Sequence, residues 1–363
     1  MKISALYVYP IKALRGIPLK HAELGPQGIK HDRRFMLYTV NQTTGELKKM
    51  QLDAFPRCAL FEQEIICDDQ KKEPLIRVRY HAPPPTKEQE ELDAQLSSSS
   101  SGTTITTTTE TEIEVPLEPD VATLERIDVS LHGSPASLAY RMGERYDAWF
   151  SKCFGVPAVL VYIGNGRRAV LGSTLPPKGT GGSSTESAVP PAPWLTFTDV
   201  APLLVTSESS LRDVHSRLDS AKLDDTSDAN FMYKFRPNIA VDGEGEDAWA
   251  EDFWAELTVG GEGGQQEPIR LLLTGNCGRC TSLNVDYTTG RPAVGEMGNV
   301  LKKLMKDRRV DKGSKWTPVF GRYAFIAGAE EKEAAAVSID IRVGDVVQVT
   351  KRSDERTVWD WPL

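Results

Sequence analysis

The sequence predicts a mainly β protein of the α+β class, built as a barrel or sandwich with a few helices rather than as a doubly wound sheet. Three observations support this fold class. Short apolar stretches recur along the chain, glycine-rich turns separate them, and few segments repeat with the 3.6-residue period of a helix. The chain has 363 residues, of which 40% are hydrophobic, so each of two domains can bury a core.

In the first half of the chain, the composition favours strands over helices. We predict strands at 2–9, 34–40, 59–67, 75–80, 112–115 and 158–162. One helix is predicted at 135–153, because Leu138, Met142 and Trp149 recur at helical spacing. Ser134 fits the N-cap of this helix and Gly155 fits its end.

The second half begins with a predicted helix at 207–219, with Ser207 at its start. Leu211, Val214 and Leu218 would lie on one face of this helix. Predicted strands then follow at 237–241, 253–259, 268–274, 281–287, 319–326 and 345–350. A further short helix is predicted at 297–307. The sequence contains no internal repeat of fixed period.

Two segments of low complexity divide the chain. Residues 82–110 contain runs of Pro, Ser and Thr, and residues 172–193 are rich in Gly, Ser and Pro. Such segments bury too little apolar surface to offset the entropy of ordering them. We therefore predict a β-barrel-like domain at 1–171 with 82–110 as an insertion, a flexible linker at 172–193, and a second domain at 194–363.

Charge and composition disfavour several classes of protein. The 51 acidic residues outnumber the 43 basic ones, so the chain lacks the general positive field of a nucleic-acid-binding protein. No apolar run approaches the ~18 residues of a transmembrane helix, and the first residues resemble a strand rather than a targeting segment. The five cysteines do not form a secreted disulfide framework, which favours a cytoplasmic or mitochondrial location.

The strongest chemical motif is Cys277-Gly278-Arg279-Cys280, which follows an apolar strand. A zinc site would need about four N or S ligands, and a thioredoxin-type dithiol would lie at the start of a helix. Two ordinary buried cysteines are the structural alternative. Arg279 favours a fourth interpretation, in which a neighbouring cation promotes the thiolate form that binds a soft metal centre.

A basic cluster near the start of the chain is the second candidate. It consists of Lys12, Arg15, Lys30, Arg33 and Arg34. A solvated surface is the ordinary interpretation of such a cluster. However, Arg33 and Arg34 lead directly into a predicted strand, so one of them should point inward, and a buried Arg needs an anionic partner.

A third candidate is the segment around Pro237, where Arg236 and Asn238 would share a face if the chain is extended. An ion pair with one of the many acids is the alternative for Arg236. The histidines show no paired spacing. No nucleophile elbow, P-loop or dinucleotide fingerprint follows a predicted strand, so the sequence lacks the motifs of hydrolases, NTPases and Rossmann dehydrogenases.

Segments in both halves together resemble the MOSC family, which is named for the C-terminal domain of molybdenum-cofactor sulfurase and includes the amidoxime-reducing components. The similar segments are 8–16 and 32–37 in the N-terminal barrel domain that precedes MOSC, and 207–211, 235–239, 277–290 and 343–346 in MOSC itself. The resemblance implies an N-terminal β-barrel-like domain packed on a MOSC β-barrel domain. Ala13 departs from the family, since relatives often carry a serine there.

The resemblance also implies that the chain binds the molybdenum cofactor, with Cys280 as the catalytic thiolate on the metal. The other residues that it implies in cofactor binding are Lys12, Arg33, Arg34, Thr198, Asp199, Arg236, Asn238, Arg279 and Asp286. The residue chemistry agrees, since Arg and Lys suit a phosphate and a thiolate suits a soft metal centre.

By the same resemblance, the chain reduces small N-hydroxylated compounds, such as amidoximes and hydroxylamines. No flavin or haem motif is seen, so the chain would need an external electron donor. The resemblance implies that this donor is a b-type cytochrome fed by an NADH-dependent flavin reductase. A cofactor carrier or sulfur-transfer module without turnover is one alternative, and a non-enzymatic barrel scaffold is another. We expect no counterpart of the pyridoxal-phosphate-binding half of a full sulfurase.

Overall fold

The computed structural model describes residues 1–67, 73–85, 111–176, 192–219, 231–260, 268–328 and 339–361. Within these residues the chain is built mainly from strands with few helices, so the predicted fold class is confirmed. Most of 82–110 and 172–193 lies outside the described residues. The division of the chain into 1–171, 172–193 and 194–363 stays a prediction.

Strands of two to ten residues make up most of the described secondary structure. The strands of the first half are β1 Lys2–Val8, β2 Ile17–Leu19, β3 His21–Gly25, β4 Gly28–Ile29, β5 Phe35–Val40, β6 Leu47–Lys49, β7 Phe61–Ile66, β8 Leu75–Tyr80, β9 Glu112–Pro116, β10 Glu125–Leu131, β11 Ser134–Arg141, β12 Ala158–Tyr162 and β13 Arg168–Ala169. The later strands are β14 Trp194–Leu195, β15 Leu203–Ser207, β16 Ile239–Asp242, β17 Trp254–Val259, β18 Ile269–Gly278, β19 Val285–Asp286, β20 Arg291–Pro292, β21 Val319–Ile326, β22 Ile339–Arg342 and β23 Val347–Arg352. The α-helices are α1 Glu144–Phe154, α2 Glu208–Ser216, α3 Met232–Phe235 and α4 Val300–Leu304.

An eight-stranded sheet with the order β2-β1-β16-β15-β21-β18-β17-β23 forms the centre of the molecule. Strand β1 pairs antiparallel with β16, which pairs parallel with β15. Strand β3 likewise pairs with β22. The first 30 residues are therefore hydrogen-bonded into the second half of the chain.

Strand β21 is buried along all eight of its residues because both of its faces are covered. Ala324 and Ile326 pack with Leu271 in one core. Tyr323 and Phe325 point to the opposite face and pack in another. Double burial explains why this strand has apolar residues on both faces without alternation, apart from the buried Arg322.

A second sheet, with the order β10-β11-β12-β5-β6, carries helix α1 on one face. The helix contributes Trp149, Phe150 and Phe154 to the core beneath it. The Phe154 ring stacks on Phe61 of β7 with the ring centroids 4.6 Å apart. This aromatic cluster anchors α1 and β7 together.

The predicted helix at 135–153 is wrong in its first half, because residues 134–141 form strand β11. A two-residue turn at His132 and Gly133, with φ values of 52° and 72°, folds β11 back onto β10. Positive φ at both positions is typical of a type I′ hairpin. Helix α1 begins at Glu144 and ends at Phe154, and the left-handed conformation of Gly155 caps it as the sequence predicts.

The predicted strand at 281–287 is also wrong over most of its length. Residues Thr281–Asn284 form a 3₁₀ turn, and only Val285–Asp286 is extended. The chain leaves the central sheet after Gly278, and Leu283 packs with Phe235 and Phe320 in the core beneath α2. The burial of Leu283 outweighs the alternation of residues 281–287 that predicts a strand.

Candidate functional site

A cavity of about 390 Å³ opens beside the central sheet and is lined by residues from both halves of the chain. It brings together eight of the ten predicted site residues. They are Lys12, Arg33, Thr198, Asp199, Arg236, Asn238, Arg279 and Cys280. The pairing of β1 with β16 makes this possible, since it places the loop after β1 next to the segment that leads into β16.

The other two predicted residues, Arg34 and Asp286, do not line this cavity. The Nη2 of Arg34 donates to the Tyr162 hydroxyl and to the Gly164 carbonyl, each at 3.0 Å, and Arg34 faces a second cavity. The carboxylate of Asp286 accepts from the backbone N–H of Thr288 at 2.7 Å and stabilises the turn after β19. Neither residue therefore belongs to the candidate site.

Unusual backbone conformations concentrate around the cavity. Six described non-glycine residues have positive φ, and four of them line the cavity: Ala13 at 73°, Arg33 at 47°, His132 at 52° and Arg236 at 58°. The left-handed region costs an L-residue roughly 1–2 kcal/mol. Such strain accumulates at functional sites, where it aims side chains in directions that regular strands do not allow.

Arg33 is the inward-pointing arginine that the basic cluster predicts, and its anionic partner is the preceding residue. Its Nη1 lies 2.5 Å from the Asp32 carboxylate and 3.1 Å from the Asn238 Oδ1. The other Asp32 oxygen accepts from the backbone N–H of Tyr9 at 2.8 Å. Asp32 is fully buried, so this pair fixes the geometry of the loop as well as the charge on the cavity wall.

Two guanidinium groups lie over the ring of Tyr9. The Cζ atoms of Arg33 and Arg236 lie 4.2 and 4.5 Å from its centroid. The Tyr9 hydroxyl donates to the Pro237 carbonyl at 3.0 Å. Cation–π contact lets two like charges approach one another on the same wall, because the ring face is negative.

Arg236 has hydrogen-bonding capacity that the described protein does not use. Its Nη1 donates to the Leu14 carbonyl at 2.9 Å, whereas its Nη2 is buried and has no partner among the described residues. The same is true of the Nε of Arg279 and the hydroxyl of Thr198. Buried polar groups are normally hydrogen-bonded, so unpartnered atoms on a cavity wall point to a ligand.

Three titratable groups meet on another wall of the cavity. The Nζ of Lys12 lies 2.5 Å from the Asp199 carboxylate, and the Nε2 of His132 lies 3.1 Å from the same oxygen. Burial lowers the pKa of Lys12 to about 8, although Asp199 opposes the shift. Burial acts to raise the pKa of Asp199, but Lys12 and His132 outweigh it and hold that pKa well below its usual range.

Arg168 holds this wall in position from behind. Its guanidinium donates to the backbone carbonyls of Thr196, Thr198 and Leu131 at 2.8, 2.7 and 2.8 Å. The side chain is fully buried, and burial lowers its pKa to about 10. Because these carbonyls belong to the Asp199 loop and to the turn that carries His132, Arg168 fixes the two relative to one another.

The two cysteines of the Cys-x-x-Cys motif have different environments. Cys277 is buried, and burial raises its pKa although the Arg279 Nη1 lies 2.9 Å from its sulfur. Cys280 is exposed and lies 3.1 Å from the Ser282 hydroxyl. The guanidinium therefore contacts the first cysteine rather than the second. The thiol that is free to reach a ligand in the cavity is that of Cys280.

Sequence reasoning missed several residues of this site. No second histidine lies at ligand spacing from His132, and Arg168 belongs to no recognised motif, so the sequence alone marks neither residue as functional. Trp359 and Trp361 also line the cavity, and the indole N–H of Trp361 donates to the His132 carbonyl at 2.8 Å. These aromatic side chains give the cavity an apolar wall.

The charges on the cavity wall suit an anionic ligand, and the Cys280 thiol suits a soft metal. Five cations line it, namely Lys12, Arg33, Lys49, Arg236 and Arg279, against the three acids Asp53, Asp199 and Asp311. Two of those acids already accept hydrogen bonds from the protein. A phosphate would find unpartnered guanidinium donors, and a soft metal would find the Cys280 thiol.

Comparison with known families agrees with this fold. A family model for the MOSC N-terminal beta barrel domain matches residues 1–157, and a model for the MOSC domain matches residues 192–348. The chain is therefore a MOSC-domain protein with the associated N-terminal β-barrel domain.

Individual relatives are similar over part of their length. Human mitochondrial amidoxime-reducing component 1 is 33% identical over 137 residues, which cover 37% of this chain and 35% of that protein. Human molybdenum cofactor sulfurase is 23% identical over 347 residues, which cover 95% of this chain and 32% of the sulfurase. Human mitochondrial amidoxime reducing component 2 is 31% identical over 155 residues, which cover 42% of this chain and 38% of that protein. The chain thus spans about a third of the length of the relatives it matches.

The helices of the molecule are short compared with a membrane span. None of them, within the described ranges, is long and apolar enough to cross a bilayer.

Proposed function

We propose that this chain is a molybdenum-cofactor-dependent reductase of N-hydroxylated compounds. The observation that carries the proposal is the exposed Cys280 thiol in a cavity whose walls hold guanidinium nitrogens without protein partners among the described residues. Similarity to proteins named amidoxime-reducing component and molybdenum cofactor sulfurase supports a function related to this cofactor.

The residues present fit the cofactor. Cys280 would bind the metal, since a thiolate suits a soft metal centre. Arg236 and Lys12 would hold the phosphate, and the unpartnered Nη2 of Arg236 is a ready donor for it. Arg279, whose Nε is also unpartnered, and the Thr198 hydroxyl would donate to the pterin. Arg33, already paired with Asp32, orients Asn238.

Reduction of an amidoxime to an amidine consumes two electrons and two protons and releases water. The bound cofactor supplies the two-electron redox centre. The protein supplies the rest: Lys12, in contact with Asp199, is the group that can hold and release a proton near neutral pH, because burial lowers its pKa to about 8. Trp359 and Trp361 offer an apolar wall to the organic part of the substrate.

The lowered pKa of Lys12 makes cofactor binding depend on pH. An anionic phosphate favours the protonated amine, so the affinity of the apoprotein for the cofactor should fall as pH rises above about 8. Linkage limits the fall to about tenfold per pH unit for one proton. Equilibrium dialysis between pH 7 and 9.5, with the retained pterin measured by fluorescence, checks this prediction.

The matched control is Lys12→Arg, which keeps the positive charge but does not titrate in this range. Its retention curve should be flat where that of the unmodified protein falls. Equal slopes for the two proteins would show that another group controls the pH dependence.

The electrons would come from outside the chain, since no nicotinamide or flavin motif follows a predicted strand. We propose a b-type cytochrome, fed by an NADH-dependent flavin reductase, as the donor. Purified holoprotein with NADH and benzamidoxime should therefore be inactive. Addition of the cytochrome and its reductase should start formation of benzamidine, and chemically reduced viologen should replace both proteins.

A cofactor carrier or sulfur-transfer module is the second candidate function. The observation in its favour is that the similarity to human molybdenum cofactor sulfurase extends over 95% of this chain. A fully loaded protein that stays inert with viologen across several N-hydroxylated substrates would support the carrier. Turnover with NADH alone would contradict both functions.

A further inference from the structure

A strongly basic surface lies on the segment 302–316, which follows the start of α4 and leads into β21. Five exposed cations share this surface: Lys302, Lys306, Arg309, Lys312 and Lys315. Next to them Trp316 is 78% exposed. The whole chain has a net charge of −8, so this surface differs in sign from the protein as a whole. We call it the 302–316 surface.

The charges on this surface are not neutralised by any of the residues that the structure describes. In the part of the chain that the structure describes, none of the five exposed cations takes part in an ion pair. The neighbouring Lys303 and Arg308, by contrast, are paired with Glu296 and Asp252. The exposed acid of the segment, Asp307, is bound by Arg217 at 2.6 Å. The surface therefore presents a concentrated positive field to the solvent.

Trp316 is an exposed indole among these cations. The guanidinium carbon of Arg309 lies 5.8 Å from its ring centroid. Large exposed aromatic side chains are uncommon on free surfaces, whereas Trp and Arg are the residue types that contribute most to protein interfaces. Together they indicate a protein partner with an acidic face rather than a small anion.

The surface is also adjacent to the cavity. Ser314 and Thr317 line the cavity wall. The Pro318 carbonyl accepts a hydrogen bond from the backbone N–H of Arg279 at 2.8 Å, and Arg279 is bonded to Cys280 along the chain. A short path therefore connects Trp316 with Cys280. It runs along the backbone from Trp316 to Pro318, crosses the hydrogen bond to Arg279, and continues to Cys280, the proposed metal ligand.

We infer that the 302–316 surface is the docking site of an acidic, one-electron donor protein. The inference rests on the proposed reductase function and names where its electrons enter. Two donor molecules, each oxidised by one electron, deliver the two electrons that reduce one N-hydroxyl group, with two protons, to N–H and water. A donor seated on Trp316 would lie next to Ser314 and Thr317, which line the cavity.

The test uses the cofactor-loaded full chain and the soluble haem domain of cytochrome b5 as the acidic donor probe. The variant carries Lys312→Glu with Lys315→Glu, both on exposed side chains. At low ionic strength its bimolecular rate of oxidation of the reduced cytochrome should fall about tenfold or more, and its salt dependence should flatten. With reduced viologen as the donor, its turnover should match that of the unmodified protein.

The matched control carries Lys20→Glu with Lys351→Glu, which makes the same change in net charge at exposed positions on other strands and turns. This control should keep the full rate with the cytochrome. Titration calorimetry of the cytochrome against each protein measures docking independently of turnover, and Trp316→Ala should weaken it about tenfold.

The outcomes separate the two proposals. Unchanged cytochrome oxidation and binding in the double variant would overturn the docking site, as would equal losses in the control. Tighter binding of a DNA duplex than of the cytochrome at physiological salt would also overturn it and would make the surface a nucleic-acid site. Failure of viologen to drive any turnover would contradict the reductase function, while the calorimetry would still decide where the cytochrome binds.

Discussion

Replacement of Cys280 by serine is expected to abolish molybdenum-dependent reduction of N-hydroxylated substrates. Cys280 is the exposed member of the Cys-x-x-Cys motif and faces the cavity. A serine hydroxyl is a hard oxygen donor that remains protonated at neutral pH, so it is a poor substitute for a thiolate on a soft metal centre. The measurements are turnover of benzamidoxime with reduced viologen and the molybdenum content of the purified protein.

Cys277→Ser is the matched control, because it makes the same replacement of sulfur by oxygen at the other cysteine of the motif. Cys277 is buried, and its sulfur accepts from Arg279, a role that a serine oxygen can take over. This variant should retain most of the activity. Activity of Cys280→Ser equal to that of the unmodified protein would contradict the assignment of the metal ligand, and inactivity of Cys277→Ser alone would reverse the roles of the two cysteines.

The second large effect is expected for Arg236→Ala, which should lower cofactor occupancy much more than it lowers stability. The unpartnered Nη2 of Arg236 is the donor assigned to the phosphate. A hydrogen bond to a charged group contributes about 1.5–3 kcal/mol, which corresponds to roughly 10- to 150-fold in affinity. Pterin and molybdenum per mole of protein, measured after gel filtration, check the prediction beside the melting temperature.

Arg34→Ala provides the control for this variant. Arg34 is also a half-buried arginine that donates to neutral oxygen atoms, yet it faces the second cavity. It should purify with full cofactor. If Arg236→Ala also retains full cofactor, Arg236 does not hold the phosphate.

Arg33→Ala would be a poorer test, for a reason that the structure adds. Arg33 neutralises Asp32, which is fully buried. Removal of one partner of a buried pair leaves an uncompensated charge and costs about 3–5 kcal/mol. Lower cofactor occupancy in this variant would therefore not be separable from partial unfolding.

Local patterns allowed much of the fold to be predicted. Strands β5, β12 and β21 lie close to where their apolar composition places them, because a strand that is buried on both faces needs a run of such residues. The first half of the helix predicted at 135–153 is instead a strand, because apolar spacing alone does not exclude one. The turn at His132 and Gly133, with two positive φ angles, decided in favour of the hairpin.

The sequence by itself determined the fold class, the Cys-x-x-Cys motif and the presence of basic residues near the start of the chain. Only the tertiary structure decided which of these residues form the site. Arg33 and Arg34 are neighbours in sequence, but Arg33 reaches Asn238, 205 residues away, while Arg34 faces a different cavity. His132 and Arg168 enter the site through contacts with residues from distant parts of the chain. The physical reason is that burial, ion pairing and side-chain direction depend on whichever strands pack together, and β1 finds its partner β16 only when the chain has folded.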